Sequence, residues 1–197
     1  MRLLAFSDLH RDRRAARHLV ELAAEADLVI GAGDFTSWRI GLGSIIDELR
    51  AIARPTLLVP GNNESDTALW RACAGWDSAT VLHGETKTIG ELEFYGLGGG
   101  IPPTPLPWSF DLREEDAASR LEHCPAGAVM IVHSPPRGHV DRAFGKHLGS
   151  SAILSAIEQT RPPLVLCGHI HQCQRQESTI GNSRIVNLGP QGMWFEL

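Results

Sequence analysis

Residues 2–10 read RLLAFSDLH: an apolar run of strand character, Arg2 to Ser7, breaks into Asp8-Leu9-His10, a carboxylate and an imidazole two residues apart. The same pattern recurs along the chain. Asp27 to Gly31 (DLVIG) runs into Gly33-Asp34, and Pro55 to Pro60 into Gly61-Asn62-Asn63. Ala128 to Val132 ends in His133-Ser134-Pro135-Pro136, and Leu164 to Cys167 in Gly168-His169-Ile170-His171. Short apolar runs of this kind are buried strands. In open α/β sheets, sites form outside the carboxyl ends of the strands, so these endings are expected to meet along one edge. In extended chain, residues i and i+2 point the same way, so Asp8 and His10 reach one ion together, as do His169 and His171. The glycines before Asp34, Asn62 and His169 are expected to supply turn conformations closed to other residues.

Helical patterns separate the runs. Arg13 to Ala26 places Leu19, Val20, Leu22 and Ala23 on one face, and Gly43 to Ala53 does so with Ile45, Ile46, Leu49 and Ile52. A short helix is expected near Ser65 to Ala74. Asp111 to Glu114 resembles a capping box opening a helix to about Cys124, and Ser150 to Thr160 is stopped by Pro162-Pro163. Thr80 to Leu82, Glu85 to Ile89 and Glu91 to Tyr95 have strand character, the last two joined at Gly90. Gly96 to Pro107 (GLGGGIPPTPLP) is a loop by composition, and the tail from Cys173 to Leu197 holds a few short strands. With no repeat and no linker, residues 1–197 are expected to form one α/β domain.

Composition excludes several classes. At 43% hydrophobic and 21% charged, the 197 residues do not carry the signature of disorder. No apolar run approaches the roughly 20 residues of a membrane span. Lys plus Arg number 18 against 23 Asp plus Glu, a net charge of -5, which disfavours long nucleic acids as partners. Cys73, Cys124, Cys167 and Cys173 show no CxxC spacing, and Leu3 to Phe6 is too short for the apolar core of a signal peptide. A cytoplasmic protein with reduced thiols is the expectation. The donors at the strand ends are carboxylate, amide oxygen and imidazole without thiolate, a set suited to Mn²⁺, Fe or Zn²⁺.

The series DLH, GD, GNN, HSPP and GHIH resembles the five-block signature of the calcineurin-like metallophosphoesterases. The loop YGLGGG, the spacing from HSPP through Gly149-Ser150 to GHIH, and the late VNLG are similar to small prokaryotic members related to cyclic-nucleotide phosphodiesterases. The resemblance covers nearly the whole chain. It implies a two-sheet β-sandwich flanked by helices in four layers, and a dinuclear centre of divalent ions, Mn foremost and Fe, Zn or Ni as alternatives. By the same resemblance Asp8, His10, Asp34 and His171 hold one ion, and Asp34, Asn62, His133 and His169 the other. It implies hydrolysis of a small, nucleotide-like phosphoester by hydroxide held between the ions. One position departs from the pattern: Asn63 stands where the family usually has the His that protonates the leaving group. An amide cannot act as a general acid near pH 7, and the resemblance to family members with a residue other than His at this position implies a bias toward phosphodiesters. The alternative is a metal-binding scaffold or regulatory protein of the same fold with weakened turnover.

Other residues have two readings each. His139 is either a substitute proton donor or a solvated side chain. Trp38 and Trp108 either stack on a substrate base or pack their loops. Arg11, Arg13, Arg14 and Arg17 either draw in anions or form a solvated helix face. Asn187 orients loops by hydrogen bonding. Gly96 to Gly100 is not a nucleotide loop, because GxGxxG needs glycine where Ile101 stands and prolines rather than a helix follow.

Overall fold

In the computed structural model, which describes residues 1–197, the alternation within the first strand decides the layering. β1 (Arg2–Phe6) sends Leu3 and Ala5 to one side and Leu4 and Phe6 to the other, and all four are fully buried. Such a strand must lie between two apolar layers. Leu4 and Phe6 pack with Leu19 of α1 (Arg13–Ala23) and with Ile45 and Ile46 of α2 (Leu42–Leu49). Leu3 and Ala5 face Val129 and Ile131 of β7 (Val129–Val132) and Leu164 and Leu166 of β10 (Leu164–Cys167). On the far side of that second sheet, Met130, Val132 and Val165 pack against Ala117 and Leu121 of α4 (Glu114–Leu121) and Ile153 and Ile157 of α5 (Ser151–Thr160). The result is four layers: helices, sheet, sheet, helices.

Each sheet is parallel at its centre and antiparallel at an edge. In the first, β1 lies beside β2 (Leu28–Gly31), then β3 (Thr56–Leu58) and β4 (Ala79–Val81), all parallel, with β13 (Met193–Glu196) antiparallel on the other side of β1. In the second, β6 (Leu92–Leu97), β7, β10 and β12 (Ser183–Asn187) run parallel. β5 (Glu85–Ile89) and β11 (Glu177–Ile180) close its edges antiparallel. The five ligand-bearing strand ends therefore belong to two sheets, not one edge: β1, β2 and β3 to the first, β7 and β10 to the second. No helix is long and apolar enough to cross a membrane.

Several local expectations shift. β6 continues through Gly96 and Leu97, because parallel pairing with Ile131 and Val132 carries the strand into the glycine-rich stretch. On α1, Ala15 and Ala16 join Leu19 and Ala23 in the core while Val20 and Leu22 are only partly buried, since the small residues let the helix sit close to the sheet. Asp111 is not a helix cap. Its carboxylate accepts hydrogen bonds from Thr104 N at 2.8 Å and Ser109 Oγ at 2.5 Å, folding up the proline-rich loop, and Arg113 precedes α4 without a side-chain cap. Glu114 reaches instead to the start of α5, accepting from Ser150 Oγ, Ser151 N and Ala152 N. A carboxylate on those unpaired N–H groups complements the helix terminus.

Between β7 and α5 the chain forms a small hairpin, β8 (Arg142–Ala143) and β9 (Lys146–His147). Its base is organised by buried Asp141, which accepts from Gly138 N and Gly149 N at 2.9 Å each and from His147 Nδ1 at 2.7 Å. Burial works against the Asp141 charge, but the His147 bond and the two backbone N–H groups outweigh it and lower its pKa. A depressed carboxyl contributes stability that is complete above the ordinary value of 3.8 and is lost as pH falls below it. Replacing Asp141 with Ala strands two backbone donors and is expected to cost about 2–3 kcal/mol in denaturant unfolding at pH 7. The gap between wild type and Asp141→Ala should narrow below pH 3.8; a gap independent of pH would contradict this account.

Candidate metal centre

The seven strand-end side chains nominated above converge between the two sheets. Ligand-type atoms of Asp8, His10, Asp34 and His171 lie within 4.8 Å of one another, and so do those of Asp34, His133 and His169, so Asp34 is common to both groups. Asn62 belongs to the second: its Oδ1 lies 3.3 Å from His133 Nε2 and 3.0 Å from His169 Nδ1. His139 and Trp108 are not among these converging donors, although Ser109, next to Trp108, accepts from Asn62 Nδ2 at 3.0 Å. His139 Nδ1 is 3.2 Å from Ser178 Oγ, and the Trp108 carbonyl accepts from Arg39 Nε at 2.5 Å. Arg13 and Arg17 share one partner, Glu48, which offsets one of the four charges of the arginine cluster.

Second contacts set the direction of each donor. His133 Nδ1 donates to the Ala32 carbonyl at 2.8 Å and His10 Nδ1 to the Thr36 carbonyl at 3.2 Å, leaving both Nε2 lone pairs aimed inward. His10 Nε2 and His171 Nε2 face each other across 2.8 Å. Carboxylate oxygens, amide oxygen and imidazole lone pairs all accept, so the convergence is complete only with a cation among them. Two buried carboxylates, Asp8 at 3% and Asp34 at 2% exposure, make the same demand. The residues present fit divalent ions of the borderline N/O type.

The titration behaviour agrees. Burial opposes ionisation of Asp34, but the charge and hydrogen bonding of His133, with His10 and His169 nearby, hold its carboxyl below the usual carboxylate range. Asp8 is also lowered, its burial overcome by bonding to His171, the His133 charge and Ser7. Burial penalises a charged His133, yet Asp34 outweighs that and lifts it to about 9. Burial and the neighbouring His133 charge push His169 down to about 4. Asp34 thus favours positive charge at this position, the charge that a divalent ion among the same donors would supply.

A family model described as the calcineurin-like phosphoesterase superfamily domain matches residues 1–196. The chain belongs to that superfamily. It is 26% identical over 208 residues to a UPF0046 protein of Caenorhabditis elegans, covering 95% of this chain and 69% of the relative. Among solved structures, TT1561 of Thermus thermophilus matches with a TM-score of 0.79 at 19% identity, over 96% of this chain and 90% of that one. A dimetal phosphatase from Danio rerio matches with a TM-score of 0.65 at 14% identity, over 96% and 88%. The phosphopantetheinyl hydrolase of Mycobacterium tuberculosis matches with a TM-score of 0.63 at 17% identity, over 96% and 90%. These likenesses show the shared fold.

In this calcineurin-like phosphoesterase the candidate ligands leave their strands by a route that strand alternation does not describe. Asp8 (φ 56), His10 (φ 45), Asp34 (φ 57) and His169 (φ 68) are themselves left-handed, and His171 opens a short 3₁₀ turn, so no i, i+2 extended geometry survives. Such backbone is costly for non-glycine residues and persists where surroundings over-determine it. Only Gly33 of the three preceding glycines has positive φ, at 90°. Gly168 is needed for space: a Cβ there would fall 2.6 Å from Asp8 Oδ2 and Ser7 Oγ. Gly61 likewise gives up its side chain to the Asp34 carboxylate.

At Asp34 the over-determination comes from Glu64, which the strand-end pattern did not nominate. Its buried carboxylate accepts from Gly61 N at 2.7 Å, Asp34 N at 2.8 Å and Thr36 N at 3.2 Å, joining the loops after β2 and β3. Burial and the Asp34 charge raise it to about 7. The only sequence signal was an acid directly after Gly61-Asn62-Asn63, where no partner was visible. Asn187 behaves as its sequence suggested: its Nδ2 reaches the carbonyls of Val140, Gly168 and Ile170. Outer contacts of this kind typically change metal affinity about 10- to 100-fold. Glu64→Ala should weaken Mn²⁺ binding by that amount in calorimetry. Glu64→Gln, which keeps an acceptor for Gly61 and Asp34 but turns an amide on Thr36 N, should fall between; equal binding by all three proteins would sink the role.

Proposed function

We propose that residues 1–197 act as one domain that hydrolyses small phosphoesters with two divalent ions, Mn²⁺ foremost and Fe²⁺, Zn²⁺ or Ni²⁺ as alternatives, and favours phosphodiesters. The observation that carries this is the sharing of Asp34 between two groups of converging donors. One ion would be held by Asp8, His10, Asp34 and His171, the other by Asp34, Asn62, His133 and His169. Bound there, the ions would supply positive charge for the phosphoryl oxygens and activation of water for attack on phosphorus.

The protein's own residues shape what is hydrolysed. Asn63 donates from its backbone N to Asp34 Oδ1 at 2.9 Å and from Nδ2 to Asp34 Oδ2 at 2.8 Å, while its Oδ1 accepts from Trp38 N. An amide holding these bonds orients Asp34 and adjoins the reacting centre but has no proton to give a departing alkoxide. His139, oriented by Ser178, is the candidate donor, and Trp108, braced through Arg39, is a candidate substrate wall. Four free, buried cysteines support a reducing, cytoplasmic setting. The negative charge favours a small, nucleotide-like ester over long nucleic acid.

Hydrolysis of bis-p-nitrophenyl phosphate with added Mn²⁺ tests the proposal; absence of turnover with Mn²⁺, Fe²⁺, Ni²⁺ and Zn²⁺ alike would replace it with the metal-binding scaffold. Asn63→His should raise p-nitrophenyl phosphate hydrolysis relative to the diester by about 10-fold or more. An unchanged ratio in metal-loaded protein would remove Asn63 from its assigned role.

A further inference from the structure

An asparagine holds a cation by its amide oxygen; rotated by half a turn it presents an NH₂ group, which repels one. The side chain of Asn62, in the connection between β3 and α3 (Asp66–Ala72), therefore serves the candidate centre in one of two orientations. Its Oδ1 faces the imidazoles, 3.3 Å from His133 Nε2 and 3.0 Å from His169 Nδ1. Its Nδ2 faces the proline-rich loop, 3.0 Å from Ser109 Oγ.

Ser109 sets the direction because its own proton is already committed. Ser109 Oγ lies 2.5 Å from Asp111 Oδ1, and a carboxylate only accepts, so the hydroxyl donates there. A lone pair is what remains for Asn62, and Nδ2 is the amide atom that can use it. The second Asp111 oxygen, Oδ2, is occupied by Thr104 N at 2.8 Å and Thr104 Oγ1 at 3.0 Å. The bonds thus run one way, from the Asn62 amide through the Ser109 hydroxyl to the Asp111 carboxylate. Hydrogen bonds in such a chain polarise one another, which leaves electron density on Asn62 Oδ1.

Backbone contacts hold both ends of this chain of bonds. Phe110 N donates to the Asn62 carbonyl at 2.8 Å, so residues 109 and 110 grip Asn62 by main chain and side chain together. Gly100 N donates to the Phe110 carbonyl at 2.9 Å, and Leu112 N to the Gly100 carbonyl at 3.0 Å. Gly100 also leaves room for the carboxylate, since a Cβ there would fall 2.2 Å from Asp111 Oδ1. Arg39 adds a tie from the loop after β2, donating from Nε to the Trp108 carbonyl and from its backbone N to the Asn63 carbonyl. A loop without helix or strand is in this way fixed where it meets Asn62.

We propose that Ser109 and Asp111 are positioning residues for the candidate metal centre. They set the Asn62 amide with its oxygen inward, and so tune the affinity of the one ion that Asp34, Asn62, His133 and His169 would share. This deepens the proposed function and rests on it for Asn62 as a ligand.

Mn²⁺ titration calorimetry on the full chain tests it. Ser109→Ala should weaken one of two sites by about 10-fold or more, the same site that Asn62→Ala weakens, and leave the other unchanged. Asp111→Asn lets the chain of bonds run the other way and should weaken that site too. Ser109→Thr, which keeps the hydroxyl, should bind as wild type. At a Mn²⁺ concentration that just fills both wild-type sites, electron paramagnetic resonance of Ser109→Ala should show an isolated ion in place of a coupled pair. In an Asn62→Asp background the two ligand oxygens are equivalent under rotation, so Ser109→Ala should cost nothing further.

Wild-type binding by Ser109→Ala would overturn the positioning role. So would equal losses at both sites, or a loss that persists in the Asn62→Asp background, since either reduces Ser109 and Asp111 to loop structure. The expected pattern in a protein that hydrolyses no phosphoester would instead overturn the proposed function and leave the positioning role standing. A wild type that binds fewer than two Mn²⁺ ions would overturn both.

Discussion

Two aspartates hidden at the ends of neighbouring parallel strands impose the constraint on which the rest of this structure depends. Asp8 and Asp34 are charged, nearly inaccessible and surrounded by groups that mostly accept hydrogen bonds. Isolated carboxylates in such a place would be prohibitive. They are tolerated because every available donor has been recruited. Ser7 Oγ and His169 N bond Asp8, Asn63 bonds Asp34 through both backbone and side chain, and His133 Nε2 lies 3.5 Å from Asp34 Oδ1. The remaining deficit of positive charge is the physical signature of a cation site.

The scaffold meets this demand by strain at the ligands and rigidity behind them. Left-handed backbone at Asp8, His10, Asp34 and His169 turns each side chain off its strand within a residue or two. The strands holding them are buried on both faces, so distortion at their ends does not propagate into the sheets. Glu64 and Asn187 are the ties across loops, one for each sheet. Each is a single buried side chain satisfying several backbone groups, which is how irregular chain is held at a precise place without regular structure.

Much of this was legible in the chain itself. Leu3-Leu4-Ala5-Phe6, Leu164 to Cys167 and the helix from Ser150 to Thr160 read correctly because apolar periodicity, Ser150 as cap and Pro162-Pro163 as stop are local signals. The five ligand-bearing endings were legible for the same reason: a polar donor directly after an apolar run contrasts with its surroundings. Asp111 and Glu114 misled because a capping box has the same spacing as two acids that serve different distant partners. β6 was clipped at Tyr95 because Gly96 and Leu97 owe their strand conformation to pairing with β7, an interaction far away in sequence.

The chain alone therefore determined which residues are donors, which segments are buried and in what order they come, since these follow from side-chain chemistry and short-range periodicity. Tertiary structure decided that the five endings come from two facing sheets. It decided that Asp8, His10, Asp34 and His169 themselves carry positive φ, joined by Gly33 alone of the glycines before them, and that Glu64 is a strut. Those features arise from contacts between residues tens to more than a hundred positions apart, where no local pattern records which partner a side chain will find.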